Sequence, residues 1–228
     1  MIPPLSALTL LRYRPVLGRL TLPDVSCDLL WIDGRIEVVG PLTRAIPAIG
    51  IGHEMSVLRL DPEVARHWLG VPLSELTDRL ISLEHISRTL ASVVASLFEG
   101  GHVSSLVGDQ FASVSPRPDS RVATARRLLS RGERVDSVAS ATCLSERQLE
   151  RLFVNAIGMS PREYRRILRF RRGIVAAGGG TRLADVALEA GYADQAHFSR
   201  DVRDLTGHSP LSLLAHVGNV QDIAAGSL

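Results

Sequence analysis

Apolar and polar residues alternate over roughly the first sixty positions, after which the apolar residues recur every three to four, so strands precede helices. Val25 to Ile32 reads as a strand, Asp33-Gly34 as a hairpin turn, and Arg35 to Val39 as the returning strand. Ile46 to Leu60 is a second strand-and-turn region that includes Ser56 to Leu60. Asp61 before Pro62 is an N-cap with proline at the first helical position, starting a helix that runs to about Leu69 before Gly70. Ser74 caps a short helix through Asp78, and Ser87–Phe98 and Val103–Ala112 read as two more. The stripe Leu90, Val93, Val94 and Leu97 would suit pairing with a second copy. Two prolines among serines then interrupt the helical pattern between Ser113 and Ser120.

From Arg121 onward the pattern is helical and repeats itself. Gly158-Met159-Ser160-Pro161 returns as Gly207-His208-Ser209-Pro210, and at that offset Ser145 aligns with Asp194, Leu149 with Phe198, Arg151 with Arg200 and Phe153 with Val202. Val138-Ala139 aligns with Val186-Ala187 once one residue is inserted in the second turn. In the first repeat Val135, Val138, Ala139 and Thr142 form one helical face, Cys143-Leu144 a turn, and Ser145 with Gln148 a capping box. Leu149, Leu152, Phe153 and Ala156 form the buried stripe of the next helix, which Gly158 stops. The second repeat has the same parts: Leu183, Val186, Ala187 and Ala190, then Gly191-Tyr192-Ala193, the cap Asp194, the stripe Phe198, Val202 and Leu205, and the stop Gly207. A short helix, a tight turn and a longer capped helix make a helix-turn-helix unit.

Stepping about 100° per residue away from each buried stripe gives the outward faces. The first holds Arg147 and Arg151 with Glu150 beside them; the second holds Ala196, Arg200 and Arg203, flanked by His197 and Ser199. Arginine can donate twice to a guanine edge, serine can hydrogen-bond several bases, and alanine fits against a thymine methyl. A single arginine on a helix is usually just solvated; its return at the aligned position favours a reading role. Pro161 to Arg172 is a strongly basic connector helix that ends at Gly178-Gly179-Gly180. Ser145, Arg165, Arg169 and Arg203 are candidate phosphate contacts.

These residues resemble the AraC/XylS family of bacterial transcription regulators over roughly 121–215. The most specific stretch is Ala184 to Arg200 with Thr206 to Pro210, joined by Val138-Ala139 and Leu144 to Phe153 in the first unit. The resemblance implies a seven-helix domain whose two recognition helices enter successive major-groove segments, with Arg147, Glu150 and Arg151, and Gln195, Ala196, His197, Ser199 and Arg200, facing the bases. It also implies a homodimer, and RNA polymerase as a partner if the protein activates. Val202 stands where the family often has an aromatic residue, which implies looser packing of the second unit. Leu22-Pro23-Asp24, Cys27 to Leu30, Gly40 to Arg44 and Leu69 to Asp78 look like an uncharacterised sensor domain fused before such readers.

Charge sharpens the division. The 228-residue chain has formal net charge +2, but residues 1–120 carry 10 Arg and 13 acids while residues 121–228 carry 16 Arg and 11 acids. The basic half suits a polyanion such as double-stranded DNA and the acidic half does not. The sequence therefore predicts an α+β N-terminal domain over 1–112 (short strands then helices, a small or partial barrel) that binds an effector or dimerises. A linker at 113–120 leads to an all-α domain over 121–228. Its helix-turn-helix units span about 135–157 and 183–206, joined by a basic helix over about 161–177. A linker broken by proline suits two bodies whose placement can change.

Other functions find less support. Gly-x-Ser-x-Gly and His-Glu-x-x-His are both missing, against a hydrolase. Cys27 and Cys143 lie far apart, and His197 and His208 have no partner at metal spacing, so neither a metal site nor a cofactor is expected. Cys143 reads as a small buried residue of the turn. The absence of a long apolar run or a charged leader suggests a cytoplasmic protein with no membrane partner. Trp31, His53 and Trp68 are the residues to look for around a small-molecule effector, although each alone is more simply read as packing.

Overall fold

The computed structural model describes residues 8–13, 15, 19–99 and 119–216. Seven strands, β1 (Leu8–Tyr13), β2 (Leu20–Thr21), β3 (Cys27–Ile32), β4 (Arg35–Val39), β5 (Ile46–Pro47), β6 (Met55–Leu60) and β7 (Leu80–Ser82), mix with α1 (Pro62–Leu69), α2 (Leu83–Ile86) and α3 (Arg88–Glu99). Seven helices follow: α4 (Ser120–Ser130), α5 (Val135–Ala141), α6 (Glu146–Ile157), α7 (Pro161–Gly178), α8 (Leu183–Ala190), α9 (Gln195–Thr206) and α10 (Pro210–His216).

The main sheet is antiparallel, in the order β1-β6-β3-β4-β7, and stays open; β2 and β5 form a separate ribbon. The expected barrel is therefore not closed. Asp33 and Gly34 both take positive φ (48° and 78°) between paired β3 and β4, the backbone a two-residue hairpin demands. Strand alternation sends Cys27, Leu29, Val38 and Leu58 to one face under α1 and α3, and Leu30, Val39, Met55 and Val57 to the other.

Helix α1 begins and ends as expected: Asp61 accepts from the Glu63 amide and Gly70 closes it in the left-handed region. The helix expected at Ser74–Asp78 is only a 3₁₀ turn, Leu73–Glu75, because Asp78 takes φ 58° and turns the chain into β7. Strand β3 starts two residues later than expected, and Val25 packs against the α5–α6 core instead. Val94 and Leu97 of α3 are buried within this chain, so that stripe does not serve a second copy; Val93 remains exposed. The helix expected at Val103–Ala112 and the linker at 113–118 lie outside the described residues, whereas Asp119 and Ser120, assigned to that linker, are the N-cap and first residue of α4.

The N-terminal body and the helical region share cores. Leu22 is buried in the cluster that contains Phe170, Phe198 and Val202, with Leu20 and Ala45 beside it. Val202, smaller than the aromatic residue the family often has there, is fully buried in that cluster. Arg126 of α4 pairs with Asp61 (2.7 Å) and Glu63 (3.5 Å) at the start of α1. Arg171 of α7 donates to the Pro23 carbonyl (3.1 Å) and lies 3.8 Å from Asp24, which in turn pairs with Arg59. Burial raises the Asp24 carboxyl pKa against the pull of Arg59, and burial likewise lowers that of the Arg171 guanidinium against the pull of Asp24.

Candidate nucleic-acid interface

The longer helices of the two units, α6 and α9, are built by matching local chemistry. Ser145 accepts from the Gln148 amide while the Gln148 side chain takes the Ser145 amide, a complete capping box. Asp194 caps α9 by accepting from the His197 amide (2.6 Å). Gly158 and Gly207 end the two helices at φ 89° and 76°. The free amides and positive end of each dipole therefore sit at an exposed capped terminus, an arrangement suited to an anion.

On α6, Leu149 and Phe153 point inward, and Arg147, Glu150 and Arg151 are exposed. On α9, Phe198, Val202 and Leu205 point inward, and Gln195, Ala196, Arg200 and Arg203 are exposed. Among the described residues, Arg147, Arg151, Arg200 and Arg203 have no side-chain hydrogen bond or ion pair, so their guanidinium groups are uncommitted. Ser199 and His197 are half-buried. The His197 ring meets Tyr192 edge-on (5.1 Å) and accepts from the Ala193 amide at 3.5 Å, which ties it to the turn. The exposed arginines and Glu150 of α6 border an open concavity of about 450 Å³ whose far wall is Ser74, on the 3₁₀ turn of the N-terminal body.

The connector helix does not present a uniform basic face. Arg166 and Arg169 turn inward to Asp201, a buried carboxylate on α9 that also accepts from the Tyr192 hydroxyl (2.8 Å). Arg169 lies 4.2 Å over the Tyr192 ring, which adds a cation–π contact. Burial, reinforced by the Asp201 charge, pushes the Tyr192 phenol well above its ordinary pKa. Arg169, a phosphate candidate by sequence, has its guanidinium on Asp201 and so fastens the connector to α9. Arg165 donates to the Glu133 carbonyl (3.3 Å) and is half-buried, and the Ser145 hydroxyl is engaged in its capping box. The signal for the Asp201 hub was an acid one position before Val202 in the apolar stripe of α9, where a partner of opposite charge is required.

The proposed effector residues do not converge. Trp31 stacks on Phe98 (5.5 Å) at the margin of the N-terminal core, and Trp68 packs against the same core. His53 is half-exposed beside Asp33 (2.6 Å) at the hairpin. A second concavity, of about 280 Å³, lies elsewhere, between Thr43 and Arg44 of the N-terminal body and Glu163, Arg166 and Asp204 of the helical region. Cys143, expected to be buried, is exposed at φ 56°. Among the described residues, there is no cluster of metal-binding side chains and no helix long and apolar enough to cross a membrane.

Residues 138–216 match the family described as helix-turn-helix domain. No curated protein matches the chain. Its fold is similar to that of ToxT from Vibrio cholerae, with 13% identity over 93% of this chain and all of that one, at a TM-score of 0.50. Another ToxT structure with the same coverage and TM-score holds (E)-4-(8-methylnaphthalen-1-yl)but-3-enoic acid. A probable AraC family regulator from Rhodopseudomonas palustris matches 44% of this chain and all of its own, with 21% identity and a TM-score of 0.37.

Proposed function

We propose that the protein, whose residues 138–216 match the helix-turn-helix domain family, is a sequence-specific, DNA-binding transcription regulator of the cytoplasm whose reader is of the AraC type. Helices α6 and α9 enter successive major-groove segments. Arg147, Glu150 and Arg151 read one segment, and Gln195, Ala196, Ser199 and Arg200 read the other. His197 orders the turn beside the second helix. Ser145, Arg165 and Arg203 lie on phosphates. The observation that carries this reading is the pair of exposed, uncommitted guanidinium groups of Arg151 and Arg200 at aligned positions on two separately capped helices. A uniformly basic surface would supply affinity without sequence preference; placed arginines beside alanine and glutamine supply both.

The N-terminal body modulates the reader through the contacts it makes with both units. ToxT has been crystallised with an aromatic butenoic acid, and an effector of this protein would act at those contacts rather than at Trp31, His53 and Trp68. Homodimerisation would use a surface other than the buried stripe of α3, and activation would add RNA polymerase as a partner.

The test is selection of bound sequences from a random DNA pool by the full chain, repeated with Arg151→Ala and Arg200→Ala. Each substitution is expected to cost about 1–3 kcal/mol and to relax preference in its own part of the site. Retention of the full preference by both variants would refute the assignment.

A further inference from the structure

Two short loops of the N-terminal body connect the C-terminal ends of the two reading helices. Gly158, the residue that ends α6, receives a hydrogen bond on its carbonyl from the Thr77 hydroxyl (2.6 Å). The approach is close: a Cβ on Gly158 would lie 2.7 Å from that hydroxyl and 3.1 Å from the Leu73 carbonyl. At the other reading helix the Ala45 amide donates to the Leu205 carbonyl (2.7 Å), one of the carbonyls that the last turn of α9 leaves without a helical partner. Thr77 and Ala45 are themselves bolted together. The carboxylate of Asp78, next to Thr77, accepts from the Thr43 amide (2.7 Å) and from the Thr43 hydroxyl, two residues before Ala45. The Asp78 amide donates to the Pro41 carbonyl (2.9 Å), and Gly40 lies so close to the second loop that a Cβ there would fall 2.0 Å from the Leu76 carbonyl.

We infer that the loops at 40–45 and 73–79 act as a spacer that sets the separation and phase at which the two reading helices meet DNA, with Thr43, Thr77 and Asp78 as positioning residues. The inference rests on the DNA-reading function proposed above. Its logic is geometric. Inserting one base pair between two half-sites shifts one by about 3.4 Å and turns it by about 35° relative to the other. Two helices joined only through the connector, by its Arg166–Arg169–Asp201 contacts and the core that Phe170 shares with Phe198, would have a single path between them along which to adjust. Helices also tied at both C-terminal ends through a second path cannot do so without breaking it.

The experiment uses the full chain and its selected DNA site, rebuilt as a series with base pairs added or removed between the halves. Thr43→Val and Thr77→Val remove the hydroxyl donors, and Asp78→Asn removes the charge that accepts from Thr43 while keeping a side chain that tolerates positive φ. Wild type is expected to lose about tenfold or more in affinity for one base pair added or removed, a penalty on the scale of a mismatched base pair. Each variant is expected to lose about threefold or less, with base preference within each half unchanged. Thermal melts identify variants that are simply unfolded; for these, Asp78→Glu, which keeps the charge but moves it, takes their place. A spacing profile identical to wild type overturns the inference, and so does a uniform loss of affinity at every spacing, since that reports only destabilisation. A wild-type chain that selects no sequence at all overturns the proposed function beneath it.

Discussion

Leu22→Ala probes how far the N-terminal body and the reader are one object. Leu22 belongs by sequence to the strand region yet is only 7% exposed inside the core of the second helix-turn-helix unit. The substitution removes three carbon groups, and at about 0.8 kcal/mol each the transfer loss is about 2.4 kcal/mol. Incomplete collapse of the space left behind raises this to about 3 kcal/mol, within the range for leucine in packed cores. With a urea dependence of about 3 kcal/mol per molar, the unfolding midpoint should fall by about 1 M. Two probes separate the bodies. The two tryptophans, Trp31 and Trp68, pack on the N-terminal core, so their fluorescence reports that body, whereas the seven helices among the described residues beyond 119 dominate far-UV circular dichroism. If the shared core couples the bodies, both transitions move together. A fluorescence midpoint that stays at the wild-type value while the dichroism midpoint falls would refute the reasoning, as would a shift in both below about 0.3 M.

Gly158→Ala should cost at least about 1 kcal/mol more than Gly207→Ala: both bear the penalty of positive φ, but no described atom lies within 4 Å of a Cβ at Gly207. Equal midpoints in urea would count against the close approach at Thr77. Arg165→Ala should lower the log–log salt slope of DNA binding by about 1, while Arg169→Ala should leave the slope unchanged and destabilise the fold through Asp201; affinities from low to high salt, with melts of the same proteins, check this. The Asp119 carboxyl is held below its ordinary value of 3.8, chiefly by the Arg121 side chain that donates to it. Its contribution to stability is therefore present above about pH 4 and is lost as pH falls through the depressed value. The melting difference between wild type and Asp119→Asn should accordingly narrow in acid, and a difference that is constant from neutral pH to pH 3 would contradict the assignment.

The legible parts of the chain are those whose causes lie within a few residues. Asp61, Pro62 and Gly70 fix α1 to the residue, and Ser145 with Gln148, Asp194, and the paired glycines do the same for the reading helices, because caps are local chemistry. The exposed arginines follow from helical stepping alone. Distant partners were not legible. Arg171 looked like one more member of a basic run, yet it meets the Pro23 carbonyl; Arg169 looked free, yet Asp201 and Tyr192 hold it. Leu22 resembled any strand leucine, since nothing near it in sequence indicates that its socket lies in α7 and α9. Strand β7 was too short for alternation to register. Cys143 illustrates the same limit in a turn, where exposure depends on how the flanking helices pack. The open sheet likewise depends on which strands find partners rather than on the propensity of any one of them.

The shared core has a consequence for how the protein is made. Leu22 and the Pro23 carbonyl leave the ribosome early, but the partner of Pro23, Arg171, is 148 residues further along. At about 5–20 residues per second this separation is roughly seven to thirty seconds of synthesis, and the second unit needed to cover Leu22 is finished later still. During that interval the nascent N-terminal body presents the apolar ribbon around Leu20 and Leu22 without its cover. Final folding therefore waits for α9, and a message truncated before the second unit yields a sticky fragment rather than a free N-terminal domain.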